Sequence, residues 1–356
     1  MIIFWSVFIL IAFVFSWLLH IYFYRTSKYY NIHKVNQRGV RWNSQSKPVA
    51  GGFTFFFSYI FAVTYFFITQ DLQINPISVE YLYISVALIF AFFTGLADDM
   101  LSIPPLFKFF LQAICGLLII YAGIYIHLFN NEWLNYALTL FWYIGIINSI
   151  NMLDNMDAVS TVVSISIIVG YILLNIFFFH NLFELMILVS MGIALLTFLY
   201  YNWHPAKMYM GDNGSLFLGL FLAVFGVKYI WNPSPEVLST MAVSLKPFLL
   251  ILLFFLIPLT DTTTVTIYRL MQKRSPFVGG KDHTTHALFY RGLSESNIAI
   301  FLFIINLIGV CFATAFLLLK SISPIITLIS FLFCTFVVLF LYINALRNNK
   351  QNTTQN

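Results

Sequence analysis

The stretch Asn148-Ser149-Ile150-Asn151-Met152-Leu153-Asp154-Asn155-Met156-Asp157 packs three amides and two carboxylates into ten residues, with apolar runs at 134–150 and 159–179 on either side. A bilayer core takes about 20 mainly apolar residues per helix. Each flank therefore reads as a membrane span, and the polar stretch reads as the membrane face between them. The same ruler carried outward gives eleven candidate spans, near 2–24, 50–70, 79–97, 106–127, 134–150, 159–179, 183–200, 214–231, 243–261, 297–319 and 323–345. The predicted fold class is all-α, a polytopic integral membrane helix bundle. It forms a single domain over 1–347, followed by a polar tail at 348–356 whose composition predicts disorder.

Composition points the same way. Hydrophobic residues make up 60% of the 356 and charged residues only 9%, with a mean hydropathy of +0.88. A soluble domain carries roughly 25% charged residues, so that class is excluded. Cys115, Cys311 and Cys334 lie in apolar runs without paired spacing, which suggests neither a disulfide framework nor a zinc site. The run from Ile2 to Tyr24 has no basic segment before it and no small-residue cleavage site after it, and is expected to be a retained helix.

Short cytoplasmic loops concentrate Lys and Arg. With the N-terminus outside, fifteen of the eighteen basic residues fall inside, and only Lys228, Lys246 and Lys320 fall outside. An odd number of spans follows, with the C-terminus cytoplasmic. The net charge of +5 is then mainly topology, with some attraction to anionic lipid head groups. No nucleic-acid-binding patch is present. Asp98, Asp99, Asp154, Asp157, Asp212, Asp261, Asp282 and Glu295 all gather on the inner side.

Five inner stretches carry chemistry. Lys47-Pro48-Val-Ala-Gly51-Gly52 opens the second span, either as a basic anchor with a Pro/Gly helix start or as backbone that approaches a phosphate. Asp98 and Asp99 end the third span as adjacent, mutually repelling carboxylates that need a cation, donors or water. Lys108 follows across Pro104-Pro105 as a candidate counter-charge or phosphate partner. In the central stretch Asn148, Asn151, Asp154 and Asp157 recur every third residue, so a continued helix would line them on one stripe; alternatively Asp157 or Ser160 simply caps the next span. Gly211-Asp212-Asn213-Gly214-Ser215 opens the eighth span, where freed N–H groups suit an anion and a carboxylate suits Mg2+. The largest inner loop holds Asp261, Arg269, Lys273, Arg274, Lys281, His283 and His286. His283 and His286 share a helical face, and with no third His or Cys nearby they suit phosphate or sugar better than structural zinc.

Taken together, these stretches resemble the polyprenyl-phosphate N-acetylhexosamine-1-phosphate transferases, of glycosyltransferase family 4 type. The resemblance covers about residues 40–295, through Gly51-Gly52, Asp98-Asp99, Asn148-x-x-Asn151-x-x-Asp154-x-x-Asp157, Gly211-Asp212-x-Gly214-Ser215, Pro258-x-x-Asp261-Thr262 and the His283/His286 loop. It implies transfer of a HexNAc-1-phosphate, GlcNAc-1-phosphate first among them, from a UDP-HexNAc to undecaprenyl phosphate with release of UMP, at a bacterial cytoplasmic membrane. Phospho-MurNAc-pentapeptide transfer ranks second. Mg2+ is the implied cofactor, with Mn2+ as its substitute, held by Asp212 and Asp154. Asp98, Asp99, Asp154 and Asp157 are the implied catalytic set: Asp98 and Asp99 place the lipid phosphate, with Asp98 a candidate proton acceptor, while Asn151 and Asp157 shape the nucleotide pocket. Asn148, Asn151, Lys108, Lys47, Arg274, Lys281, His283, His286 and Asp261 are the implied substrate-binding residues. Homodimers are common in that family. One departure stands out: the family pattern is Asp-Gly-x-Asp-Gly, and here Asn155 and Ala158 replace both glycines. Ala does not easily take φ > 0. A transporter and an inactive paralogue remain the rival classes. Transporters place their acids near the midplane of broken helices, whereas these acids sit at one face.

Overall fold

The computed structural model describes residues 2–29, 47–70, 78–232, 246–276, 280–318 and 324–354. Lys34, Arg38 and Arg41 of the first inner loop, together with Lys320, lie outside the described residues. The described chain is helical apart from one parallel bridge, Val49 to Tyr209. In order the helices are α1 Ile2–Tyr29, α2 Gly51–Thr69, α3 Glu80–Leu101, α4 Pro105–Tyr121, α5 Glu132–Leu153, α6 Val159–Leu174, α7 Leu182–Asn202, α8 Gly211–Gly226, α9 Lys246–Phe254, α10 Leu256–Met271, α11 Thr284–Tyr290, α12 Glu295–Leu318 and α13 Pro324–Thr354. Single π turns at Asn175–Phe179 and Val227–Trp231 extend α6 and α8. The last helix continues to Thr354, through most of the stretch whose composition predicts no order.

Local signals explain where helices begin. Pro105 starts α4 at a position where its missing N–H costs nothing. Asn131 and Asn181 cap α5 and α7, their side chains accepting from Trp133 N at 2.9 Å and Glu184 N at 3.1 Å. Among the described residues nine helices, counting those extended by π turns, are long and apolar enough to cross a membrane. They match nine of the eleven expected runs. The fourth run is α4, at only 17 residues.

The ninth run departs from expectation. Instead of one span over 243–261, α9 and α10 meet at a bend of 89° around Phe255. Pro258 has no N–H to give to Phe254 O, four residues back. Asn306 of α12 takes that role: its Nδ2 reaches Phe254 O at 3.2 Å, and its Oδ1 accepts from Ile257 N at 3.1 Å. A break inside a membrane protein persists only where freed backbone groups find such partners.

The core is centred on α8. In the most apolar 18-residue stretch of the span from Gly211 to Trp231, 94% of residues are buried, against 22% in the corresponding stretches of α1 and α13. A helix apolar all round belongs in the middle. Around it stand α2, α3 and α5. The amino-terminal ends of α2, α4 and α8 meet the carboxy-terminal ends of α3 and α5, and this shared end carries the acids.

Candidate active site

Small residues decide how closely the helix ends approach. A Cβ on Gly52 would collide with Asn213 and Gly214, one on Gly95 with the backbone of Asp212, and one on Gly214 with Met210 and Gly52. The three glycines therefore let α2, α3 and α8 cross with backbones nearly touching. Residues before α2 add a short ladder: Tyr209 N donates to Pro48 O at 2.8 Å, Gly51 N to Tyr209 O at 3.1 Å and Gly52 N to Met210 O at 3.1 Å. The Gly-Gly pair is thus spent on packing against α8.

That crossing brings Asp98 and Asp99 to the first turn of α8. Lys108 Nζ donates to Asp98 Oδ2 at 2.7 Å and stands 3.7 Å from Asp212 Oδ2, bridging the two acids. Asp98 Oδ1 also accepts from Ile103 N at 3.1 Å. Asp99 Oδ2 accepts from Asn213 N at 3.0 Å, which satisfies an orphan donor at the start of α8. From α5, Asn151 Nδ2 donates to Asp212 Oδ1 at 3.0 Å and lies 2.7 Å from Ser215 Oγ. Asn148, one turn earlier, exchanges hydrogen bonds with Gln112 of α4 and ties two helices together. Asp98, Asp212 and Ser215 bring hard oxygens together at the first turn of α8, of the kind that suits a divalent cation such as Mg2+. Lys108 is the resident counter-charge.

The expected polar stripe does not continue. Helix α5 stops at Leu153, Asp154 is its C-cap, and the chain turns through Ala158 at φ +65°. Asp154 stays beside the end of α5, whereas Asp157 is carried away and buried. Asp157 Oδ2 accepts from Ala206 N at 2.9 Å and His204 Nδ1 at 3.0 Å, with Lys47 Nζ at 4.0 Å. The same His204 nitrogen lies 3.2 Å from Glu295 Oε2, tying α12 to this pocket. Neither Asp157 nor Ser160 caps α6: its N-cap is Ala158, which has no side-chain cap. Asn202 holds that turn by accepting from Ala158 N at 3.1 Å and Thr161 Oγ1 at 2.7 Å.

The histidine loop forms the third part. Asp261, fully buried in α10, accepts from His283 Nδ1 at 2.8 Å, from Thr284 N at 2.8 Å and from Thr284 Oγ1 at 2.6 Å. It orients the start of α11, leaving His283 Nε2 as the nitrogen that could meet a ligand. His283 and His286 stand with ring centroids 5.5 Å apart. Burial, and then the charge of His283, push the His286 imidazole down to about 3. Arg269 grips Asp282 with two hydrogen bonds, of 2.8 and 2.7 Å. Burial alone would raise the Asp282 carboxyl; the Arg269 fork outweighs it and holds Asp282 below the usual carboxylate range. Arg274 and Lys281 are exposed beside this loop.

The structure thus gathers Asp98, Asp99, Lys108, Asn151 and Asp212 in one cluster. Lys47 and Asp157 stand in a second, and Asp261, His283 and His286 in a third. Sequence reading gave no role to Gln112, Asn202, His204, Arg269, Thr284, Thr285 or Glu295. His204-Pro205 before the Gly211-Asp212 motif, and Arg269 following the apolar and threonine-rich run that starts at Leu256, were the available signals.

The sequence is similar to those of known proteins. Residues 81–230 match the sequence model of Glycosyl transferase family 4. A probable undecaprenyl-phosphate N-acetylglucosaminyl 1-phosphate transferase of Bacillus subtilis (strain 168) is 28% identical over 268 residues, 72% of this chain and 71% of the relative. A decaprenyl-phosphate N-acetylglucosaminephosphotransferase of Mycobacterium leprae (strain TN) is 26% identical, over 59% of this chain and 58% of its own. A phospho-N-acetylmuramoyl-pentapeptide-transferase of Streptococcus uberis is 30% identical, over 51% of this chain and 58% of its own.

Proposed function

We propose that this chain, which carries a glycosyl transferase family 4 domain over residues 81–230, transfers GlcNAc-1-phosphate from UDP-GlcNAc to undecaprenyl phosphate and releases UMP. The observation that carries this reading is the convergence of Asp98, Asp99 and Asp212 around Lys108 and Asn151, at the membrane end where the basic loops gather. That end is the cytoplasmic face of a bacterial cytoplasmic membrane, with the N-terminus outside.

The roles follow from charge. Two anionic substrates meet here, and their repulsion has to be offset by cations and positioned donors. Asp212 and Asp154 would hold a Mg2+ ion, which would supply part of that positive charge. Lys108, held between Asp98 and Asp212, turns its ammonium toward the incoming lipid phosphate. Asn151 fixes the rotamer of Asp212, and Asp99 fixes the first turn of α8. His283, oriented by Asp261, donates to the diphosphate or sugar, with His286 behind it. An oxygen of the lipid phosphate attacks the phosphorus that bears the sugar, and the bond to the UMP oxygen breaks. The attacking monoester, with a second pKa near 6, is largely ionised at pH 7. A general base is therefore unnecessary.

Purified protein given undecaprenyl phosphate, Mg2+ and UDP-GlcNAc is expected to release UMP. Silence with every UDP-HexNAc, UDP-MurNAc-pentapeptide included, removes the reading. A tag after residue 356 should resist protease added outside intact cells, and cleavage there overturns the orientation.

A further inference from the structure

Asn155 stands where the resembled family pattern carries glycine, and the structure gives its side chain two partners. Its Nδ2 donates to Met152 O at 2.7 Å, and its Oδ1 accepts from Thr285 Oγ1 at 2.7 Å. The backbone does not explain the residue. Positive φ among non-glycine residues occurs at Ser102, Ala158, His180 and Lys273, not at Asn155. What the amide provides is a tether across 130 residues. At one end is the turn that carries Asp154. At the other is the first turn of α11, where Thr285 is fully buried between His283 and His286. A neutral amide makes this link without adding a charge beside Asp154.

We propose that Asn155 is a positioning residue that latches the Asp154 turn to the histidine helix through Thr285, fixing the gap across which the donor diphosphate lies. This rests on the reading of the chain as a UDP-sugar-dependent transferase. α10 packs directly on α5, whereas α11 packs on α10, α12 and α13, and Asp261 organises it from within its own half of the site. The latch therefore acts on the distance between the acids and the imidazoles. The acceptor phosphate beside Lys108 lies on the acid side alone, so loss of the latch should be felt by the donor and not by the lipid.

The experiment uses the full chain in lipid nanodiscs and compares Asn155→Gly, Thr285→Val, the double variant and Thr285→Ser. A lost hydrogen bond of ordinary strength predicts a donor KM raised about 3- to 10-fold in each single variant, with the acceptor KM and kcat held within about twofold. The double variant should be no worse than Asn155→Gly, because the only bond that Thr285→Val removes is one that Asn155→Gly already lacks. Thr285→Ser keeps the hydroxyl and should restore wild-type behaviour. Hydrogen exchange of the α11 amides, measured without substrate, should quicken in Asn155→Gly and Thr285→Val alike. Multiplying effects in the double variant, equal shifts in both KM values, failure of Thr285→Ser to rescue, or unchanged α11 exchange would each overturn the latch. Wild-type turnover in the same assay tests the activity itself, and the variant ratios test the latch.

Discussion

Helices α3 and α8 carry a charged cluster at each of their ends, and the two clusters are built differently. At the far end Lys228 lies 2.6 Å from Glu184 and 2.7 Å from Glu80. Tyr81 and Tyr229 donate to the two Glu184 oxygens at 2.7 and 2.5 Å, and Asn181 and Asn175 hold those hydroxyls in turn. Glu184 is buried there inside a closed ring of donors. At the site end Lys108 bridges Asp98 and Asp212, with Asp99 beside them at the first turn of α8. Each end sets one lysine between two acids, but at the far end two tyrosine hydroxyls also satisfy Glu184, while at the site end a third acid, Asp99, joins the pair. The far end is shaped to hold α3, α6, α7 and α8 together, and the site end to accept more positive charge.

The largest effect should come from breaking the site end. Asp212→Asn is expected to lower turnover by about 10³-fold or more while thermal unfolding in detergent stays near wild type. Asp212 is part-exposed and its amide replacement can still accept from Asn151. Turnover within a few-fold of wild type would mean that the acid surplus has no role in the chemistry.

The next effect is the mirror image. Lys228→Met strands Glu184 without its cation, and removing one partner of a buried pair typically costs 3–5 kcal/mol. Lys228 keeps 16% of its side chain exposed, so about 3 kcal/mol is expected, at the low end of that range. The melting temperature should fall, with kcat per folded molecule unchanged. A fall in kcat with no loss of stability would make the two ends equivalent and erase the contrast.

Much of this was legible in the sequence, for identifiable reasons. Hydropathy located the spans because a lipid-facing helix has no other way to be stable. The acids of the site were legible because basic loops fixed a sidedness and the Asp residues sorted with it. The bend at Phe255 was not, since the run is apolar enough for one span and the break is held by Asn306, 49 residues away from Ile257. The stripe from Asn148 to Asp157 failed for a local reason: spacing by three means one face only while the helix lasts, and α5 ends at Leu153. Asp157 then found His204, Ala206 and Lys47 by tertiary packing that no spacing encodes.

Acidification should separate the two regions further. His286 sits at about 3 when folded and near 6.5 when unfolded. The unfolded chain therefore binds more protons between these values, and stability rises with pH across that window. The contribution is fully present above about 6.5 and is lost as pH falls toward 3. Moving from pH 7.5 to pH 5 should cost about 2 kcal/mol. Asp282, held below its ordinary range, adds a loss in the same direction at lower pH. Hydrogen exchange in α11 should quicken before exchange at the Glu184 cluster, and His286→Gln should remove most of the drop between pH 7.5 and 5. Simultaneous opening of both ends would show that they form one cooperative unit.

The smallest effect asks whether the site end gives up stability for its shape. Ala158 is held at φ +65° by the hydrogen bond from its N–H to Asn202. A left-handed backbone costs an alanine roughly 1–2 kcal/mol. Glycine would relieve that strain, but its greater freedom when unfolded takes back about 0.4–1 kcal/mol. Ala158→Gly is therefore expected to raise stability by at most about 1.6 kcal/mol, seen as a melting temperature higher by a few degrees at most. Turnover should hold, because the Asn202 tie needs only the backbone N–H, which glycine keeps. A lower melting temperature would mean that the turn after Asp154 is not left-handed at Ala158, and that Asp157 reaches Lys47 and His204 by another path.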